Sequence, residues 1–165
     1  IMANQGISLI YGGGNLGLMG TAADACMDNG GRVIGVIPRA LLDREHGHRG
    51  LTNLEVVESM HQRKARMAQL SDGFIALPGG LGTFEELFEV LTWRQLGIHE
   101  KPIAIINTLD FFAPMLALLD HAQNEGFIGP DRRVFLHRAD TPQEAVHALK
   151  SFRASGSEVV SRLEI

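Results

Sequence analysis

The segment Pro78-Gly79-Gly80-Leu81-Gly82-Thr83-Phe84-Glu85-Glu86 gathers residue types that suit an anionic ligand. Three glycines in four residues let a ligand approach the backbone closely. The free N–H groups of a helix starting there, at its positive dipole end, favour a phosphate. Thr83 adds a hydroxyl donor, and Glu85 and Glu86 set two carboxylates where an anion would bind. No Gly-Lys-Ser/Thr follows, so this is not a Walker A loop. A plainer account is a tight turn with a capping box, because Thr83-x-x-Glu86 fits the S/T-x-x-E signature. That account explains Thr83 and Glu86 but does not ask for three glycines.

Two further segments carry chemistry. Gly12-x-Gly14-x-x-Gly17 fits the dinucleotide fingerprint, with Gly13 adding to the run. A nicotinamide enzyme would place an acidic residue about 20 positions on, where this chain has Pro38 and Arg39. The turn is therefore read as an approach for a nucleotide, not for a nicotinamide cofactor. In Met60-His61-Gln62-Arg63-Lys64-Ala65-Arg66, the three cations can neutralise a phosphate or hold a carboxylate. The alternative is a solvated basic face, above all for Arg66.

The elements that must position these residues follow from alternating short apolar runs and longer helical patterns. Strands are predicted at residues 7–11, 32–37, 54–57, 74–77, 103–106 and 134–136. Helices are predicted at about 18–29, 59–70, 84–96 and 111–125, and a last one opens at Thr141-Pro142. Residues 39–52 read as a polar loop, and the tail after about Ala154 as frayed. Strands that are apolar throughout and separated by helices imply a parallel sheet covered on both faces. The expected fold is a Rossmann-like, doubly wound α/β domain spanning residues 1–165. Both glycine turns and the start of the 59–70 helix lie at the carboxyl edge of the strands, where such sheets bind ligands.

Bulk properties narrow the function. The chain has 165 residues, 45% hydrophobic and 21% charged, with a net charge of −4. This balance suits a globular domain and argues against a nucleic-acid binder, which usually carries a net basic face. No apolar run approaches the roughly 20 residues of a membrane span, and no signal peptide is visible, so a cytoplasmic location is expected. The single cysteine, Cys26, sits among alanines in a predicted helix and reads as a small core residue. The seven histidines show no metal-ligand spacing, His46 and His48 having no third ligand nearby. Neither a metal nor a cofactor is expected.

Taken together, these segments resemble the LONELY GUY family, the cytokinin-activating phosphoribohydrolases, many of which carry the label "lysine decarboxylase". The family motif PGGxGTxxE is met in full by Pro78 to Glu86, and the likeness continues through Leu91-Thr92-Trp93-Arg94-Gln95-Leu96-Gly97-Ile98-His99. Tyr11 to Gly20, Gly35-Val36-Ile37-Pro38 and Met60 to Lys64 match as well. The likeness runs to about Gly129, and four separated motifs in order make it specific. It implies hydrolysis of the N-glycosidic bond of adenosine 5′-monophosphate or an N6-modified relative, by a homodimer. By the resemblance Arg63 and Glu86 are the catalytic pair. The Gly79–Thr83 turn, with Leu81 in it and Glu85 beside it, holds the phosphate. Gly12, Gly13, Gly14, Met19, Glu45, Lys64 and Thr92 join the nucleotide site.

Family members begin with a further strand, a glycine/serine loop and a helix ahead of the position of Ile1, so an N-terminally incomplete chain is expected. A pyridoxal-dependent decarboxylase would need a Schiff-base lysine, and Lys64, Lys101 and Lys150 lack an evident cofactor context. The competing reading is a non-catalytic carrier of the same fold, for a nucleotide or the molybdenum cofactor. The preference between adenine and a prenylated base rests on a pocket wall to which Met19 and the Trp93 region contribute in this reading.

Overall fold

The strand β1 (Leu9–Tyr11) pairs in parallel with β2 (Val33–Pro38), and β2 with β3 (Asn53–Val57), in the order β1-β2-β3. Every residue of β2 is buried, as the central position of a sheet covered on both faces requires. On one face, the helix α1 (Gly17–Asp28) packs Ala23 and Cys26 against Tyr11 and Val33. Burial raises the pKa of the Cys26 thiol, in keeping with its reading as a core residue. The helix α2 (Met60–Leu70) packs on β1, β2 and β3. Its start is fixed by a reciprocal cap: Ser59 Oγ accepts the Gln62 N–H at 3.2 Å, and Gln62 Oε1 accepts the Glu58 N–H at 2.9 Å.

A second sheet has the order β4 (Phe74–Ala76), β5 (Ile103–Ile106), β6 (Leu136–Ala139), again all parallel. Side-chain alternation along β5 divides the core. Ile103 and Ile105 pack with Leu87 of α3 (Leu81–Gln95) and with Phe112 and Met115 at α4 (Ala113–Asn124). Ala104 and Ile106 face Ala145 and Leu149 of α5 (Pro142–Val159). Arg94 of α3 lies over the rings of both Phe135 and Phe152, at 4.6 and 4.7 Å from their centroids, and so ties α5 to α3.

The computed structural model describes residues 1–42, 47–129 and 135–159, with side chains in α5 as far as residue 152. It divides into two compact units, Ile1–Ser71 and Asp72–Ile165. Each is a three-stranded parallel sheet with helices packed on it, the α/β class expected from the sequence. Among the described residues, no helix is long and apolar enough to cross a membrane. α5 is assigned through Val159, and the tail beyond it lies outside the described residues.

Among the boundaries that differ from the sequence expectation, three have a clear physical reason. β6 runs Leu136–Ala139, past the end expected at 136, because it is an edge strand whose middle residues His137 and Arg138 are exposed and polar; Val134 lies outside the described residues. An apolar-run reading cannot see the extent of such a strand. α3 begins at Leu81, three residues early, with Gly80 as its N-cap. α4 starts at Ala113 because residues 108–110 form a separate tight turn in which Leu109 and Asp110 adopt positive φ (51° and 57°). Asn107 holds that turn, accepting the Phe112 N–H through Oδ1 at 2.8 Å and donating to Asp110 at 3.0 Å.

His99 links the end of α3 to the approach of β5. Its Nε2 donates to the Val90 carbonyl at 3.0 Å, because its Nδ1 accepts the Lys101 N–H at 3.1 Å. Burial, more than any other influence, lowers its pKa. A histidine whose folded pKa is depressed stabilises fully above the unfolded value of about 6.5, and that contribution is lost as pH falls through the folded value. The urea midpoint is therefore expected to drop between pH 7.5 and 5.5 by more in the wild type than in His99→Gln. An equal drop in both proteins would remove His99 from the acid sensitivity.

Candidate functional site

In the N-terminal unit, β1 ends at Tyr11 and the chain turns through Gly12, Gly13 and Gly14, all buried. Arg63, the fourth residue of α2, is only 6% exposed and packs directly against Gly12. A Cβ at Gly12 would collide with Arg63 Nη2 and lie 2.7 Å from Cζ, so a side chain there is incompatible with this arginine position. Gly13 has φ +76°, a conformation that suits glycine. Its carbonyl accepts the His48 N–H at 2.9 Å, and Gly14 forms an isolated antiparallel bridge with Gly47.

The basic run of α2 is thereby resolved residue by residue. Arg66 is bidentate to Glu55 on β3, at 2.6 and 3.1 Å, and lowers the pKa of that carboxyl chiefly through the hydrogen bond. This is a structural pair at the surface, where screening by water keeps its contribution to stability small. Lys64 is half-buried. Arg63 points inward to the glycine turn, where Nη1 reaches Met60 Sδ at 3.7 Å. Desolvating a guanidinium costs several kcal/mol before its partners are counted. A solvated face describes Arg63 badly.

Met19 is the third residue of α1 and 38% exposed. Glu45 lies outside the described residues. Sequence reasoning weighed His48 only as a metal ligand and set it aside. In the structure it is 8% exposed, with Nε2 2.7 Å from Asp24 Oδ1 on α1. Nothing in the spacing signals that pair, because its members lie 24 residues apart. Tyr11, in the same core, has its pKa pushed up to about 12, by burial first and then by the Asp24 charge. Among the described residues, no group of three or more His, Cys, Asp or Glu side chains is placed to hold a metal ion.

In the C-terminal unit, β4 leads through Leu77-Pro78-Gly79-Gly80 into α3. No side chain caps the start of α3. Thr83 is the third helical residue; its N–H and that of Phe84 both donate to the Gly80 carbonyl, at 3.0 and 3.2 Å. The capping-box account is thus overturned, because Thr83 lies inside the first turn and not at the N-cap. Its hydroxyl rests over Gly79, where a Cβ would clash with Oγ1 and lie 3.0 Å from Thr83 Cβ. At Gly80 and Gly82, by contrast, a Cβ would meet nothing within 4 Å. Packing within the protein accounts for the first glycine of the motif and not for the other two.

Glu86 follows Thr83 by three residues, so the two share a face of α3, and Glu86 is half-buried. Glu85 and Leu81 are exposed, Leu81 to 87%. Thr92 is not brought to the turn. It lies nine residues beyond Thr83, about 13 Å along the axis at 1.5 Å per residue, and donates its hydroxyl to the Phe88 carbonyl at 2.7 Å. The unit thus gathers Gly79, Gly80, Leu81, Gly82, Thr83 and Glu86 at one helix start.

The chain resembles known proteins along nearly all its length. Residues 19–149 match the family model described as "Possible lysine decarboxylase". The chain is 46% identical over 160 residues to a probable cytokinin riboside 5′-monophosphate phosphoribohydrolase, LOGL2, of Oryza sativa subsp. japonica. That match covers 97% of this chain and 66% of the relative, so the chain spans about two thirds of the rice protein. It is also 49% identical over 151 residues to the cytokinin riboside 5′-monophosphate phosphoribohydrolase of Rhodococcoides fascians, covering 91% of this chain and 76% of that one. Among solved structures, the molybdenum cofactor binding protein of Rippkaea orientalis shares the fold with a TM-score of 0.66 at 22% identity, over 91% of this chain and 80% of that one. The label of the family model is a historical one, whereas the curated relatives are named for cleaving a nucleotide. On this evidence the chain belongs to the cytokinin riboside 5′-monophosphate phosphoribohydrolase (LONELY GUY) family.

Proposed function

We propose that this chain hydrolyses the N-glycosidic bond of adenosine 5′-monophosphate or an N6-modified riboside 5′-monophosphate, releasing the free base and ribose 5-phosphate. The observation that carries this reading is the start of α3. It joins a helix N-terminus without a side-chain cap, two glycines whose Cβ positions are open, the Thr83 hydroxyl and, three residues on, Glu86. Backbone N–H groups and the helix dipole suit the 5′-phosphate there. Holding the phosphate supplies binding energy remote from the bond that breaks.

As the bond to the base breaks, positive charge builds on the ribose. A carboxylate facing C1′ stabilises that charge and orients or deprotonates the attacking water. Water gives its hydroxyl to C1′ and its proton goes to the departing base. Glu86 is proposed for the carboxylate, with Arg63 orienting the ribosyl phosphate or the acid. Gly12, Gly13, Gly14, Met19, Glu45, Lys64, Glu85 and Thr92 are proposed to complete the nucleotide site. In this reading residues 1–165 serve as one nucleotide-binding domain of a cytoplasmic homodimer.

The test is product analysis after incubation with adenosine monophosphate and with isopentenyladenosine monophosphate. Free base and ribose 5-phosphate in equal amounts are expected from at least one of them. Tight binding with no base released would replace this reading with that of a carrier.

A further inference from the structure

We propose that His48 and Asp24 are a positioning pair that sets the Gly12–Gly14 turn, and through it the seat of Arg63. The proposal rests on the functional reading above, in which that turn and Arg63 meet the nucleotide. His48 is buried and engages three segments of the N-terminal unit. Its backbone N–H donates to the Gly13 carbonyl at 2.9 Å, and next to it Gly47 bridges to Gly14. Its ring joins Asp24 of α1 through Nε2 at 2.7 Å and Gly50 through Nδ1 at 3.2 Å.

The tautomer follows from these partners. The Gly50 amide can only donate, so Nδ1 accepts and the ring hydrogen sits on Nε2, donating to Asp24. The ring is thereby fixed at both nitrogens, and with it the backbone N–H that holds the Gly13 carbonyl. Tight placement matters because Gly12 leaves no room before Arg63: a Cβ there would already clash with the guanidinium. A small shift of the turn must move the arginine or be resisted by it. A positioning error of about 1 Å can cost roughly 100-fold in rate.

The Asp24 side chain is 56% exposed, so its removal tests the pair without opening the core. The experiment measures kcat/KM for release of base from the preferred nucleotide, with KM and kcat separated and the folded fraction checked by thermal melting. Asp24→Ala is expected to lower kcat/KM about tenfold, with KM changed as well as kcat. Asp24→Asn, which still accepts the Nε2 hydrogen, is expected to stay within about threefold of wild type. In an Arg63→Ala background, Asp24→Ala is expected to add less than about a threefold further loss, because the two act as a unit. Active wild-type protein with Asp24→Ala within twofold of it would overturn the pair alone. So would equal losses in Asp24→Ala and Asp24→Asn, or losses that multiply in the Arg63→Ala background. Wild-type protein that releases no base would overturn the hydrolase reading and this inference with it.

Discussion

Replacing Glu86 by Gln is expected to lower turnover about 1000-fold, or about 4 kcal/mol of transition-state stabilisation, while leaving nucleotide affinity within about threefold. The amide keeps the shape of the side chain and most of its hydrogen bonding, so binding through the glycine turn should survive. What it lacks is the negative charge that faces a ribosyl cation and the basicity that prepares a water molecule. Single-turnover release of adenine, paired with calorimetric titration of the nucleotide, separates the two effects. Turnover close to wild type would dismiss Glu86 as the acting carboxylate. A parallel collapse of affinity would instead make it a binding residue.

The second large effect is expected at Arg63. Arg63→Ala should lower kcat/KM by about 100-fold or more, and Arg63→Lys should restore little, because an ammonium cannot reproduce the planar fork. The structure adds a companion that leaves the guanidinium in the chain. In Gly12→Ala the new methyl group would occupy the space of Arg63 Nη2, so the arginine must leave its seat. Gly12→Ala is therefore expected to mimic Arg63→Ala, and the double variant to be little worse than either single one. If Gly12→Ala were fully active, the buried seat of Arg63 would not be its working position. If Arg63→Ala were active, the basic run would serve stability alone.

Much of the fold was legible in the sequence because its signals are local. Ile103–Ile106 reads as a buried strand from four consecutive apolar residues, and the structure buries all four between helices on either side. The S/T-x-x-E pattern at Thr83 misled for a related reason. A local motif states what a cap would look like, but the helix starts wherever its first carbonyl finds donors, and Gly80 finds two. The extent of β6 was misjudged because an edge strand with exposed His137 and Arg138 lacks the apolar run that marks a covered one.

Residue types at short spacing determined, by themselves, the α/β class, the two glycine turns and the carboxylate three residues past Thr83. Backbone conformation and helical periodicity depend on neighbours in the chain, and a linear reading reaches them. Only the tertiary structure decided that Arg63 of the α2 run is buried, that Arg66 is held by Glu55, and that a histidine set aside as a metal ligand is tied to Asp24. Arg66 finds Glu55 across 11 residues, Arg63 finds Gly12, and His48 finds Asp24 across 24. Such pairings are set by how helices and loops pack on parallel strands. Burial and partnership belong to that packing, and no pattern of adjacent residues encodes them.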